Sequence, residues 1–429
     1  MKTGNFLKRF INYYHTYGLA RLSRRAYGVA FDTFARRWMR NSRDEWLSKL
    51  PEEAEHHLPP IIILAGIEWS YRIQRAQQLA RSFAKSGSMV FYCEPVFAAS
   101  HKPGWCAQWL TGEKRICDIK FLLPKRVEIW EHEVAYHFTS QIKKEVHDLV
   151  NSIKRISAID PVIIVQNPYW STSIPYEDKV CIIYDCLDDF NDFDNTYHKI
   201  DGFENKLLQI AHGIVSTSKS LDSKWKSSQI PHRIIRNGVD FDHFNKRPSA
   251  VYAAQSGKGI IGYHGAIENW FDVGLVEEIA TNFPDYTIVL VGGISNFSAR
   301  RSFKRHNNIQ LIGEVPYQNL PYYLHSFDVA IIPFLIRPLT VATNPIKAYE
   351  YLAAGIPVVA TPLPEMKAFG GLVAIADRDG FIEKLHSTLL KGKRLANQYC
   401  RFASQNSWME RASDFYDFHN EIISIYSLN

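Results

Sequence analysis

The feature that most constrains this chain is a repeated alternation of short apolar runs with helix-patterned stretches, interrupted once by a polar segment. Ile61–Gly66, Met89–Cys93, Val162–Gln166, Val180–Tyr184 and Gly213–Ser216 are brief and dominated by apolar residues. Runs of this kind suit strands buried on both faces, as in parallel sheets covered by helices. Arg75–Arg81, after the first run, reads as a helix. Residues 96–160 do not resolve into elements by the same reading. An Asn-Gly turn at Asn237-Gly238 and the polar stretch Asn245–Lys258 then break the pattern. It restarts with Gly259–Gly265, Thr287–Gly293, Ile309–Gly313, Val329–Pro333 and Val358–Ala360. The predicted fold is therefore α/β, with two Rossmann-like, doubly wound domains facing a cleft. The expected bounds are 59–245 and 246–404. A last helix, within 405–429, is expected to pack back on the first domain. Ligands of such sheets lie beyond the carboxyl ends of the strands.

The chain has 429 residues, which accommodates two domains, and 46% hydrophobic with 22% charged residues is ordinary for a globular protein. The net charge of +6 is unevenly placed, because ten basic residues against one acid, Asp32, precede Asp44. Phe6, Leu7, Phe10, Ile11 and Tyr14, then Tyr27, Phe31, Phe34 and Trp38, recur at helical spacing between those arginines and lysines. Residues 1–58 thus read as a basic, helical extension. Residues 1–43 suit an anionic membrane surface; the alternative is packing on the protein's own body. No apolar run reaches the length of a membrane span, and the start lacks a signal-peptide core. The six cysteines form no C-x-x-C pair, so neither zinc nor a disulfide framework is expected and a reducing cytoplasm is the simplest compartment. No nucleic-acid partner is expected.

One segment carries chemistry. Thr343-Asn344-Pro345 reads as a helix start, with Thr343 and Asn344 accepting bonds from the first N–H groups and Pro345 at the first helical position. Gly355 ends that helix. A helix N-terminus with Lys347 one turn in is a phosphate site in waiting. Glu350 is placed to accept bonds from two adjacent sugar hydroxyls. The plain alternative is a capped helix whose carboxylate faces solvent.

Asn237-Gly-Val-Asp240 and Glu350-Tyr-Leu-Ala-Ala-Gly355-Ile-Pro-Val-Val-Ala360 resemble a glycosyltransferase of the GT-B fold, family 4 type. Glu68-Trp69-Ser70-Tyr71-Arg72-Ile73-Gln74-Arg75, Tyr92-Cys93-Glu94-Pro95, Asn167-Pro168-Tyr169, Tyr184-Asp185-Cys186-Leu187-Asp188-Asp189 and Gly265-Ala266-Ile267-Glu268-Asn269-Trp270-Phe271-Asp272 are similar to a bacterial subgroup that builds cell-envelope polysaccharides, teichuronic-acid enzymes among them. The resemblance implies transfer of a sugar from a nucleotide-sugar, with retention and without a bound metal or other cofactor. It implies a glycan acceptor, and the basic extension suggests a lipid-linked one at the inner face of the membrane. It would place the ribose on Glu350, the base beside Val315 and Tyr317, and the nucleotide close to Gly293. Gly66 and Gly265 would lie near the reacting sugar. The family's first glutamate is replaced by Ala342, so Thr340, Thr343 or backbone N–H groups must serve the donor sugar. Lys347, Asn344, Thr343 and Arg337 would balance the diphosphate.

Glu68, Asp185 and His264 sit at or just after strand ends and are the expected positioning or catalytic groups, although a capping Asp185 and a packed His264 fit equally well. Trp69 and Arg75 fall on the acceptor side, with a structural ion pair as the other reading of Arg75. Asp192-Phe193-Asp194 and Asp240-Phe241-Asp242 spell D-x-D but lie in polar turns. Two other classes share some of these features: a nucleotide-sugar epimerase of the same fold, and a non-catalytic membrane-bound assembly partner.

Overall fold

A computed structural model describes residues 58–97, 104–123, 140–174, 180–190, 200–254 and 257–426. The basic extension and Asp192–Asp194 lie outside the described residues. The chain divides into two compact units.

The first unit runs to Arg236 and includes the terminal helix Trp408–Tyr426. Its eight strands are β1 (Ile61–Leu64), β2 (Val90–Phe97), β3 (Gly104–Trp109), β4 (Ile116–Leu123), β5 (Val162–Val165), β6 (Cys181–Cys186), β7 (Gly213–Ser216) and β8 (His232–Ile234). Their order is β3-β4-β2-β1-β5-β6-β7-β8, with β3 antiparallel to β4 and every other neighbouring pair parallel. β1 and β5 are adjacent, so the strand order reverses there. Helix α1 (Arg75–Ser86) buries Ala76, Leu79, Ala80 and Phe83, one face of a 3.6-residue repeat. It stops at Gly87, whose φ of 116° is the left-handed conformation glycine adopts without strain. The terminal helix packs against α1, with Phe415 edge-on to Phe83 at 5.7 Å. Gly213 makes room for it, since a Cβ there would fall 2.3 Å from Ile422 Cδ1.

Residues 96–160 hold β3, β4 and the helix Ser140–Ile156. They escaped the alternation because β3 and β4 form an antiparallel pair and carry charged residues within the run, the buried Asp118 and the partly buried Lys120.

The second unit spans Asn237–Ser407. It contains β9 (Gly259–His264), β10 (Tyr286–Val291), β11 (Ile309–Gly313), β12 (Val329–Ile332), β13 (Val358–Ala360) and β14 (Val373–Ile375), in the order β11-β10-β9-β12-β13-β14. All are parallel. This 3-2-1-4-5-6 order is that of a doubly wound dinucleotide fold, and it reverses between β9 and β12. Helices α2 (Val273–Asn282), α3 (Phe297–Phe303), α4 (Pro338–Ala342) and α5 (Ile346–Ala353) follow β9, β10 and β12. The unit begins before the polar stretch 245–258. Asn237 and Val239 are tied into it, through Asn344 and through a bridge to Ser407.

Candidate functional site

In the second unit, three strand ends and one helix start converge. β9 ends at His264, and Gly265 follows with φ 126°. Its N–H donates to the Val291 carbonyl at 2.8 Å, and the Gly292 N–H donates to the Gly313 carbonyl at 2.7 Å. Gly292 has φ 149°, and a Cβ there would stand 1.9 Å from the Gly265 carbonyl oxygen. The Gly293 carbonyl accepts from Ile267 N–H at 2.9 Å. Only side-chain-free residues allow the two turns to approach this closely.

Lys347, the second residue of α5, lies over this glycine surface. A Cβ on Gly265 would meet Lys347 Cε at 2.1 Å and Nζ at 2.8 Å. The ammonium also sits 5.5 Å from the Phe334 ring centroid and 5.8 Å from that of Tyr263. Aromatic faces attract a cation and fix its direction. One turn further, Glu350 is buried, and its Oε2 lies 2.8 Å from Nε2 of the equally buried His264. The two atoms are close but out of line for a hydrogen bond. Gly265, Gly293, Lys347, Glu350 and His264 are therefore brought together at the β9/β12 reversal.

The rest of the predicted donor set divides. Tyr317 stacks on His243 with centroids 4.5 Å apart, and Val315 is packed against the core. Arg337 is exposed at the start of α4 and, with Glu268, Asn269 and Asn296, lines a pocket of about 400 Å³. Three expectations are corrected. Thr340 and Thr343 have no hydroxyl proton left to donate to a sugar: Thr340 Oγ1 bonds the Leu335 carbonyl and Arg337 N–H, and Thr343 Oγ1 donates to the Leu339 carbonyl at 2.7 Å. Asn344 does not cap α5. Its Oδ1 accepts from Asn237 N–H at 3.0 Å and its Nδ2 donates to Glu365 at 3.0 Å, so it pins the unit's first residue to the helix start. Pro345 stands just before the helix rather than within it. Ala342 is buried at the end of α4.

In the first unit, Gly66, Glu68 and Trp69 lie on the loop after β1. The Trp69 ring is wedged between the Tyr92 edge and the Arg81 guanidinium, and Glu68 is exposed. Arg75 takes the structural ion pair, one of its two readings, and its partner is Asp185, expected to position a ligand or to cap. Asp185 is fully buried, and accepts from Arg75 Nη2 at 2.8 Å and from Gln166 Nε2 at 3.0 Å. Arg75 also donates to the Arg236 carbonyl at 3.0 Å. A carboxylate matched by a guanidinium and an amide is a closed structural pair.

Sequence reasoning missed a second buried charge cluster. Glu94 contacts Lys120 and the Trp69 N–H, and Lys120 lies 3.0 Å from Asp118. Burial pushes the Glu94 carboxyl up to about 7, against the pull of Lys120. Burial draws Lys120 down, but Glu94 and Asp118 outweigh it and hold the ammonium above the ordinary lysine range. The one signal was Asp118-x-Lys120, charges two apart in an otherwise apolar run. Asn167 was quoted only as part of a motif; it is buried against Gly66, and its Nδ2 has no partner among the described residues. Asp240 caps the short helix Phe241–Asn245, and no described group of three or more ligating side chains could hold a metal. All six cysteines are free.

The paired sheets and the glycine-lined strand ends define a fold class, GT-B. Solved structures agree on that fold. Sucrose-phosphate synthase from Thermosynechococcus elongatus superimposes with a TM-score of 0.61 at 13% identity, covering 86% of this chain and 100% of that one. The catalytic domain of starch synthase IV from Arabidopsis thaliana, bound to ADP and acarbose, gives 0.63 at 12% identity, covering 86% and 99%. More particularly, residues 260–391 match the family model described as Glycosyl transferases group 1. A putative teichuronic acid biosynthesis glycosyltransferase, TuaH, of Bacillus subtilis (strain 168) is 30% identical over 170 residues. That match covers 38% of this chain and 43% of the relative's length. The resemblance read from the motifs therefore holds. No helix among the described residues is long and apolar enough to cross a membrane.

Proposed function

We propose that this protein is a glycosyltransferase that moves a sugar from a nucleotide-sugar to a glycan acceptor in cell-envelope polysaccharide synthesis. The observation that carries this reading is Lys347 laid over Gly265 at the start of α5, beside the Gly292-Gly293 turn. A diphosphate on that surface would meet an ammonium and the positive end of a helix. Fixed positive groups aimed at a leaving diphosphate supply much of the stabilisation that glycosyl transfer needs. Glu350, one turn further, would accept the ribose hydroxyls, and the stacked Tyr317 with Val315 would border the base. The group 1 family match over 260–391 supports the same assignment.

Transfer proceeds with retention and without a metal in this proposal, the departing phosphate taking the acceptor's proton. The acceptor is lipid-linked, and residues 1–43 hold the enzyme on the anionic inner face of the membrane. Ten basic residues interleaved with aromatics support that placement. Equal sedimentation with anionic liposomes before and after removal of residues 1–43 would remove it.

The central test is calorimetric titration of the full chain with UDP, GDP, ADP and dTDP. One diphosphate is expected to bind, and Lys347→Met is expected to weaken it by about 10- to 100-fold, the worth of a charge-assisted contact. Absence of binding by all four, or equal binding by the variant, would overturn the reading.

A further inference from the structure

A buried carboxylate must find partners or neutralise. Among the described residues, Glu350 has one close polar contact, Nε2 of His264 at 2.8 Å. A lone pair at that nitrogen would repel a carboxylate, whereas an Nε2–H would attract it. The bond is nonetheless out of line, and His264 Nε2 is left without an aligned acceptor. The His264 nitrogen is thus near its partner without being satisfied by it.

The imidazole is held from the other side. His264 is the last residue of β9, and its backbone N–H donates to Tyr351 Oη at 2.8 Å. Its ring stands edge-on to the Tyr351 ring, 5.1 Å away at 86°. Tyr351 is fully buried and adjoins Glu350 in α5. Strand end and helix are locked together by this tyrosine, which sets where Nε2 points. Hydrogen bonds that are poorly aligned without substrate commonly tighten when it binds.

We propose that His264 is a positioning residue for Glu350. Its Nε2–H steers one carboxylate oxygen, so that the carboxylate presents its remaining acceptor positions to the two adjacent hydroxyls of the donor's ribose. His264 neither transfers a proton to the acceptor nor touches the leaving group. The inference rests on the reading that Glu350 receives the ribose. It predicts that ribose discrimination belongs to the pair and not to Glu350 alone.

The experiment compares UDP, GDP and ADP with their 2′,3′-dideoxy forms by calorimetry, on the full chain and on Glu350→Gln, His264→Phe and His264→Gln. The wild type is expected to favour the ribose form. Phe keeps the ring and removes Nε2, and should raise the ribonucleotide Kd and donor KM about tenfold, with kcat nearly unchanged and dideoxy binding unaltered. Gln can return an N–H near the same place and should recover part of the loss. Thermal unfolding of each variant shows whether it folds, and His264→Gln carries the test if the Phe variant does not. Suppose Glu350→Gln loses discrimination while both His264 variants keep it. The inference then falls and the reading of Glu350 stands. If the wild type binds ribose and dideoxy forms alike, the reading of Glu350 itself falls. A His264 variant that lowers kcat with Kd unchanged would place the imidazole in the chemistry and overturn its positioning role.

Discussion

The two sheets reverse strand order in the same way and treat buried charge in opposite ways. In the first unit, Asp185 accepts from Arg75 and Gln166, while Lys120 meets Glu94 and Asp118. Beside β9 and β12 of the second unit, Glu350 and His264 are close but misaligned, and Lys347 lies over bare glycine backbone. In the first arrangement, the Arg75–Asp185 pair is spent on architecture, although Gln166 Oε1 and Asp118 Oδ1 are buried without a partner among the described residues. The second keeps acceptors and a cation directed at a surface that only glycine makes accessible. Where a buried pair is held by several aligned bonds, as at Arg75 and Asp185, the natural reading is structural; the unaligned Nε2 of His264 is what motivates the ligand reading proposed above.

The largest expected effect breaks the matched side. Arg75→Met leaves Asp185 buried without its countercharge. Removal of one partner from a buried pair costs about 3–5 kcal/mol. Urea unfolding followed by tryptophan fluorescence should show that loss for Arg75→Met, and adding Asp185→Asn should recover part of it. Lys347→Met should cost less stability than Arg75→Met while losing nucleotide. If the two single variants are equally unstable, the contrast between the units is wrong.

A smaller effect sharpens the other side. Gly292→Ala must place a Cβ 1.9 Å from the Gly265 carbonyl oxygen, at φ 149°. Gly313→Ala has φ 85° but meets nothing within 4 Å. The second change carries only the left-handed penalty, about 1–2 kcal/mol. The first adds displacement of the glycine turn on which Lys347 rests. Gly292→Ala should therefore abolish diphosphate binding, and Gly313→Ala should lower the melting temperature slightly with binding retained. Equal loss of binding in both would mean that close approach of the two turns is not what makes the surface.

This asymmetry also explains what could be read in advance. The regular βα alternation was legible because parallel strands buried on both faces are continuous apolar runs, as at Ile61–Leu64 and Thr287–Val291. Residues 96–160 were not, because an antiparallel pair with internal charges follows neither period. Lys347 and Glu350 were visible because their spacing from a helix start is local. The fates of Asp185 and Arg75 depended on a partner 110 residues away, and no local pattern reports that. Thr343 and Asn344 misled for a related reason. Their types fit a cap, but one bonds back into α4 and the other reaches Asn237 and Glu365. Sequence shows which groups are able to act; the fold decides which have already been used.

The smallest effect concerns pH, and it tests whether the matched side is matched by charge or by burial. Glu94 titrates near 4.5 when unfolded and at about 7 when folded, with burial as the leading cause. The folded chain then holds the proton more tightly. Between about 4.5 and 7 it binds more protons at this group than the unfolded chain does, so stability falls as pH rises. The contribution is fully present below the unfolded value and is lost as pH passes the folded one. Its slope is at most one proton's worth, about 1.4 kcal/mol per pH unit. Lys120 remains charged throughout this window, since Glu94 and Asp118 hold it above the usual range. The Glu94→Gln variant should therefore flatten the stability profile between pH 4.5 and 7 and leave the region above it parallel to wild type. A wild-type profile that rises across this window, with Glu94→Gln removing the rise, would mean that Lys120 outweighs burial. The first unit's cluster would then be a true ion pair, held by charge as firmly as Arg75 and Asp185.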